Sequence, residues 1–283
     1  MATVSPVITP TLAGRSKRSA ATLARIAFLA TLRRDIVVTV RDFIPFLVQV
    51  LVQPLFLLFI FGKVLPSIGE TQGNFAALLL PGVVALTSFL ASMQGVTLPL
   101  VFDLGFAREI DDRLLAPMPT SLVAVEKILF AALRGIIAGA VIFPSAWLIL
   151  GNQYQVRTDA IPGLIGMILL TSCMGASLGL VIGTLIKPEQ VGLMFAVILT
   201  PLLFTGCTYY PWASLDGIKW FQIVTLFNPL TYAAEGTRAM MVPPIHGHAL
   251  TTLAIPWVLL GLIGPIIAFT FLGMWTFRRR VIN

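Results

Sequence analysis

FNPLTYAAEGTRAMM, residues 227–241, is the stretch on which the fold of this chain turns. It places Asn228, Glu235 and Arg238 in a polypeptide of 283 residues that is 57% hydrophobic, 11% charged and of mean hydropathy +0.94. Soluble domains carry about 25% charged residues, so lipid rather than water is the main solvent here. An unpaired charge at the bilayer centre costs about 2.5–3.5 kcal/mol on insertion scales. Glu235 and Arg238 are three residues apart, share a helical face and can pair. Residues 229–242 read as a helix with Pro229 at its first position and Asn228 as its cap, stopped by Pro243 and Pro244. The preceding residues 218–227, IKWFQIVTLF, are apolar but too short to cross a bilayer. Two short helices joined at Asn228-Pro229, with Tyr232 on the second, suit a re-entrant hairpin, because irregular backbone within lipid is tolerated only against protein or a wet cavity. The external region 211–250 therefore counts as a hairpin and not as a span. The Glu235–Arg238 pair either holds that hairpin or lines a path through the membrane.

Six other stretches have the roughly 20 mostly apolar residues that a spanning helix needs: 44–64, 76–99, 128–150, 161–186, 191–210 and 252–276. An even number puts both termini on one side. Of the 19 Lys and Arg, all but Lys63, Arg157, Lys219 and Arg238 lie before the first span, between the second and third, between the fourth and fifth, or after the sixth, with Arg134 just inside the third. Basic residues accumulate in cytoplasmic segments, so both termini are expected in the cytoplasm. Aromatic residues agree: Trp147, Tyr209, Tyr210, Trp212 and Trp257 gather at the outer ends, Trp275 and Phe277 at the inner one. The formal charge of +7 does not point to nucleic acid, because the basic residues punctuate apolar runs instead of covering a polar surface. The expected fold is an all-α integral membrane protein: a flexible cytoplasmic tail over 1–21 and a single transmembrane domain over 22–283.

Residues 22–42 are apolar but repeatedly charged. Leu29, Leu32, Ile36 and Val40 share a helical face with Arg34 and Arg41 roughly opposite, which predicts a helix along the inner membrane surface. Small residues recur every four positions in the third span (Ala131, Gly135, Gly139) and in the fourth (Gly175, Gly179, Gly183), a pattern that lets helix backbones approach closely in lipid. Gln49 and Gln53, one turn apart in the first span, either bond between helices or line a pathway. Between the second and third spans, residues 104–116 predict a short amphipathic helix ended by Pro117 and Pro119. Phe106, Ile110 and Leu114 form one stripe, while Arg108 with Asp112 and Glu109 with Arg113 are pairs of opposite charge, with Asp111 between them. This segment is either a solvated connector or a docking element for a soluble partner.

Several classes of activity find no residues to carry them. The chain has no Gly-x4-Gly-Lys-[Ser/Thr] phosphate loop, no His-Glu-x-x-His and no Gly-x-Ser-x-Gly. Neither a catalytic constellation nor a metal site is expected. Cys173 and Cys207 sit in apolar surroundings without ligand spacing, and His246 and His248 read as solvated imidazoles in a Pro/Gly-rich loop. The spans hold few ionisable groups, which argues against an ion-coupled secondary transporter.

Taken together, LLPGVV at 79–84, the charged stretch from Asp103 through Leu115 followed by APMPTS at 116–121, and TGCTYYPWASL at 205–215 with NPLTYAAEGTRAMM resemble the permease subunits of ABC type-2 exporters, in particular the daunorubicin-resistance type of drug and lipid exporter permeases. The similarity covers most of the chain after residue 22. It implies that residues 22–42 are a connecting helix. Phe106, Arg108, Glu109, Ile110, Asp111, Asp112, Arg113 and Leu114 would form a coupling helix that fits a separate ATPase subunit. The resemblance further implies a homodimer, or a heterodimer with a related permease, working with two ABC ATPase subunits that bind ATP and Mg; this chain would bind no cofactor. Asn228, Pro229, Tyr232, Glu235 and Arg238 would lie near an exit gate, and the setting would be a bacterial plasma membrane. The expected cargo is an amphiphilic drug, lipid or glycolipid leaving the cytoplasm or inner leaflet, with export of a cell-envelope polysaccharide as the alternative.

Overall fold

The computed structural model describes residues 20–69, 75–107, 119–151, 154, 156–243 and 250–282. Among them six helices are long and apolar enough to cross a membrane: Phe43–Ser67, Ala77–Gly105, Thr120–Leu150, Ile161–Leu185, Pro188–Thr205 and Ile255–Arg280. The described residues form helices and no strands. The fold is an all-α integral membrane protein. The tail before residue 20, the charged segment 108–118 and His246 and His248 lie outside the described residues.

The second span is the axis of the bundle and is buried along most of its length; the first, fifth and sixth spans form the periphery. Its burial follows from small residues on its neighbours. A Cβ on Gly175 or Gly179 of the fourth span would stand 2.3 and 2.4 Å from the carbonyl oxygens of Phe89 and Met93 on the second. On the opposite side, a Cβ on Gly135 of the third span would stand 2.6 Å from the Ser88 carbonyl oxygen. Helix backbones can come this close only where Cβ atoms are missing, and the gain is dispersion contact that lipid chains cannot match. Thr97 Oγ1 donates a hydrogen bond to the Gly179 carbonyl oxygen at 3.0 Å across the same seam. Both glycine stripes therefore do what their spacing predicted.

Two helix ends and one helix face differ from the sequence reading. The third span's helix begins at Thr120 and not at 128; its first two turns carry Glu126 and Lys127, whose charges hid the helix from an apolar pattern and which protein buries. The fifth helix stops at Thr205 instead of running to 210; Cys207 then takes a left-handed backbone (φ 49°) that turns the chain. This span is also irregular, with a π-helical turn at Phe195–Leu199 and Pro201 in its last segment. The N-terminal helix, Ala20–Arg41, lays Ala24, Ala27, Phe28, Thr31 and Asp35 towards the bundle. Its apolar residues Leu29 and Val40 face away from the protein, 62% and 66% exposed. The helix is thus two-sided, and its protein-facing side combines Phe28 with small and polar groups that the apolar pattern did not mark.

Candidate functional site

Residues 219–241 form a helical hairpin, Lys219–Thr225 and Pro229–Met241. Asn228 caps the second helix by accepting from the Leu230 backbone N–H at 2.9 Å, and Pro229 occupies the first turn, where no amide donor is needed. The Asn228 amide also donates to the Leu202 carbonyl oxygen at 2.7 Å and to Thr205 Oγ1 at 2.9 Å, tying the hairpin bend to the end of the fifth span. Tyr232 donates to the Leu226 carbonyl oxygen at 2.9 Å, and its ring fills the space that Gly261 of the sixth span leaves open. The second hairpin helix is buried on nearly every side, against the second, fourth and sixth spans.

Glu235 and Arg238 sit at the centre of this arrangement, both fully buried and paired through Arg238 Nη1 and Glu235 Oε1. Their remaining hydrogen bonds go to backbone from four places in the chain. Arg238 Nε donates to the Leu78 carbonyl oxygen at 3.3 Å and Nη2 to that of Cys207 at 3.0 Å. Glu235 accepts from the Trp212 N–H at 3.0 Å and the Leu253 N–H at 3.3 Å. One ion pair thus joins the outer end of the second span, the turn after the fifth and the strap entering the sixth. The Cys207, Trp212 and Leu253 groups lie outside the long helices, where leaving a buried backbone group unpaired costs about 1–3 kcal/mol. Gly82 completes the hub: a Cβ on it would lie 1.8 Å from the Thr208 carbonyl oxygen, so only glycine lets the Cys207-Thr208 turn rest on the second span. Burial pushes the Cys207 thiol up to about 11, which keeps it protonated and unreactive at neutral pH.

A second charged cluster lies at the opposite end of the bundle. Lys127, at the start of the third span, stands 3.8 Å from Asp35 of the N-terminal helix and 3.7 Å from Asp103, where the second span ends in a π-helical turn, Asp103–Ala107. All three side chains are mostly buried, and Glu126 is buried beside them. Gly105 in the same turn lies against the Pro188 ring, at the start of the fifth span. The start of the charged segment 104–116 is therefore braced by Lys127 at Asp103 and by Pro188 at Gly105. Phe106 belongs to that turn by its backbone; Arg108, Glu109, Ile110, Asp111, Asp112, Arg113 and Leu114 lie outside the described residues. The sequence reading missed Asp35, Asp103 and Lys127 as a group. The available signal was a Glu-Lys dipeptide at 126–127 interrupting an otherwise apolar helix.

Gln49 and Gln53 line a groove between the first and second spans with Thr87 and Gln94. Among the described residues neither glutamine bonds to a neighbouring helix; both are exposed to the groove.

Comparison with known proteins bears on the whole bundle. Residues 26–242 match the family model described as ABC-2 type transporter. The chain is similar to the inner membrane transport permease YadH of Escherichia coli strain K12, 25% identical over 206 residues that cover 70% of this chain and 78% of the relative. It is also similar to the putative transport permease ycf38 of Cyanophora paradoxa, 28% identical over 211 residues covering 68% and 66%. With six spans, a hairpin before the last and a matched region that runs from the N-terminal helix to the end of that hairpin, this chain belongs to the ABC-2 type transporter family as a multi-pass membrane permease.

Proposed function

We propose that this permease forms the membrane half of an ATP-driven exporter: two copies, or one copy with a related permease, joined to two ATPase subunits that hold ATP and Mg. Its cargo is an amphiphilic drug, lipid or glycolipid, moved outward from the cytoplasm or inner leaflet across a bacterial plasma membrane, with both permease termini in the cytoplasm. The observation that carries the reading is the Lys127 cluster, which links the N-terminal helix, the end of the second span and the start of the third around the segment 104–116. A push on that segment from a soluble partner is delivered at once to the central span and to the helix lying beside it. In packed helical bundles such a displacement passes by rigid-body movement, because well-packed interfaces switch between arrangements and do not deform smoothly. At the other end, the Glu235–Arg238 hub binds the hairpin to the same central span, so displacement of that span reaches the outer face.

The test is co-extraction. The full chain, tagged and gently solubilised from its native membrane, should bring with it a roughly stoichiometric ATP-hydrolysing protein. Alanine in place of Arg108, Glu109, Asp112 and Arg113 together should release that protein while leaving the permease intact. A wild-type chain that emerges alone, from membranes in which other transporter complexes survive extraction, would overturn the exporter reading.

A further inference from the structure

Arg134 is a cation inside the third span. It lies seven residues beyond Lys127, or about 10 Å higher at 1.5 Å per residue, which puts it at the depth of the inner leaflet. Its guanidinium carbon stands 4.6 Å from the centre of the Phe46 ring. Its Nε is buried with no hydrogen-bond partner. Among the described residues it forms no ion pair. Charged groups within a bilayer persist where they meet a partner or a pathway.

The guanidinium opens onto a continuous groove between the first, second and third spans. Its lower section carries Thr39, Asp42, Gln49 and Arg134. A middle section of about 250 Å³ carries Gln49, Gln94 and Arg134 with Phe46, Leu98 and Phe102. The upper section adds Gln53 and Thr87. Gln49 borders all three sections, each of which mixes polar and apolar side chains. Asp42, exposed, lines the lower section together with Arg134, whereas the middle and upper sections carry no carboxylate among the described residues.

We propose that this groove takes the headgroup of an anionic amphiphile, a phosphate or carboxylate on an apolar tail, from the inner leaflet. Arg134 supplies the counter-charge and its fork of donors, Gln49 and Gln94 donate from their amides, and the tail lies along Phe46, Leu98 and Phe102. The proposal rests on the permease reading above and names the class of amphiphile that reading leaves open.

Photo-crosslinking tests it on the full chain, reconstituted in discs of phosphatidylcholine containing trace diazirine probes with identical acyl chains, phosphatidic acid or phosphatidylcholine. Wild type should capture the phosphatidic acid probe roughly tenfold better, as expected for one charge-assisted contact of about 1.4 kcal/mol, with adducts in the first to third spans. Arg134→Gln should bring the two probes to within about twofold of each other, while Arg134→Lys keeps most of the preference. Gln49→Leu with Gln94→Leu should lower the preference without removing it, and this pair carries the test if Arg134→Gln does not yield a monodisperse protein. Equal capture by wild type, an undiminished preference in Arg134→Gln, or in the double glutamine variant where it stands in, overturns the proposal. Full displacement by millimolar inorganic phosphate also overturns it, by assigning the site to a free oxyanion. Scoring the ATP-hydrolysing partner in the same preparation separates the two readings. A chain that keeps its partner but has no lipid preference refutes this inference alone, and a preference without a partner refutes the permease reading alone.

Discussion

At the scale of single residues, Glu235 and Arg238 answer the question that their charge raises in an apolar chain. Spacing of three made the pair legible, and Asn228-Pro229 ahead of it made the cap legible. The four backbone groups that the pair satisfies were not, because Leu78, Cys207, Trp212 and Leu253 come from segments far apart in sequence and contribute only main-chain atoms. Main-chain atoms carry no sequence signal. Removing one member leaves a buried charge alone, so Arg238→Met should cost about 3–5 kcal/mol, read as a lower midpoint when the full chain in micelles is titrated with SDS. Glu235→Leu combined with Arg238→Met should recover part of that loss and not all of it, since the Cys207 carbonyl and the Trp212 and Leu253 N–H groups would lose the side-chain partners they have here. A single variant as stable as wild type would show that the pair does not hold the hairpin.

Among the elements, the glycine stripes dominate. Gly175 and Gly179 each put the fourth span against carbonyl oxygens of the second, at distances a methyl group cannot share. Gly175→Ala and Gly179→Ala should each destabilise the bundle by about 1–3 kcal/mol, the usual cost of overpacking. Gly166→Ala, on the same helix but with nothing within 4 Å of the added methyl, should be neutral in the same SDS titration. Equal effects at all three positions would refute the close-contact seam. The stripe was visible as a period of four residues, and its partner was not. Nothing in a glycine says which helix approaches it, and only the packed structure places the second span against both stripes.

Across the whole molecule, charge sets orientation and packing sets connection. Most Lys and Arg flank the span ends that lie on the side of the two termini, and Arg280 there donates to the Thr184 and Ile186 carbonyl oxygens at 2.6 and 2.9 Å, closing the C-terminal end of the fourth span. On the other side Arg157 pairs with Asp159 in the short loop between the third and fourth spans. In a Cys173→Ala background, Asp159→Cys should react with a membrane-impermeant maleimide on intact cells, whereas Arg278→Cys should react only after the cells are opened. The reverse pattern would invert the topology. The bundle holds a charged knot at each end, Lys127 with Asp35 and Asp103 at one and Glu235 with Arg238 at the other, with the buried second span running between them.

Hydropathy, the distribution of basic residues, the proline-capped hairpin and the resemblance of its motifs were enough to establish six spans, an even topology, a hairpin before the last span and the transporter family, since each depends on local composition or short spacing. Tertiary structure alone decided which span is central, where the third and fifth helices begin and end, which face of the N-terminal helix meets the protein, and that Asp35, Asp103 and Lys127 converge. It also left Arg134 beside a groove whose middle section carries no carboxylate among the described residues. Those outcomes depend on which distant segments share a buried volume. In lipid, where hydrophobicity no longer sorts inside from outside, that choice falls to close packing and to the pairing of the few charges the chain carries.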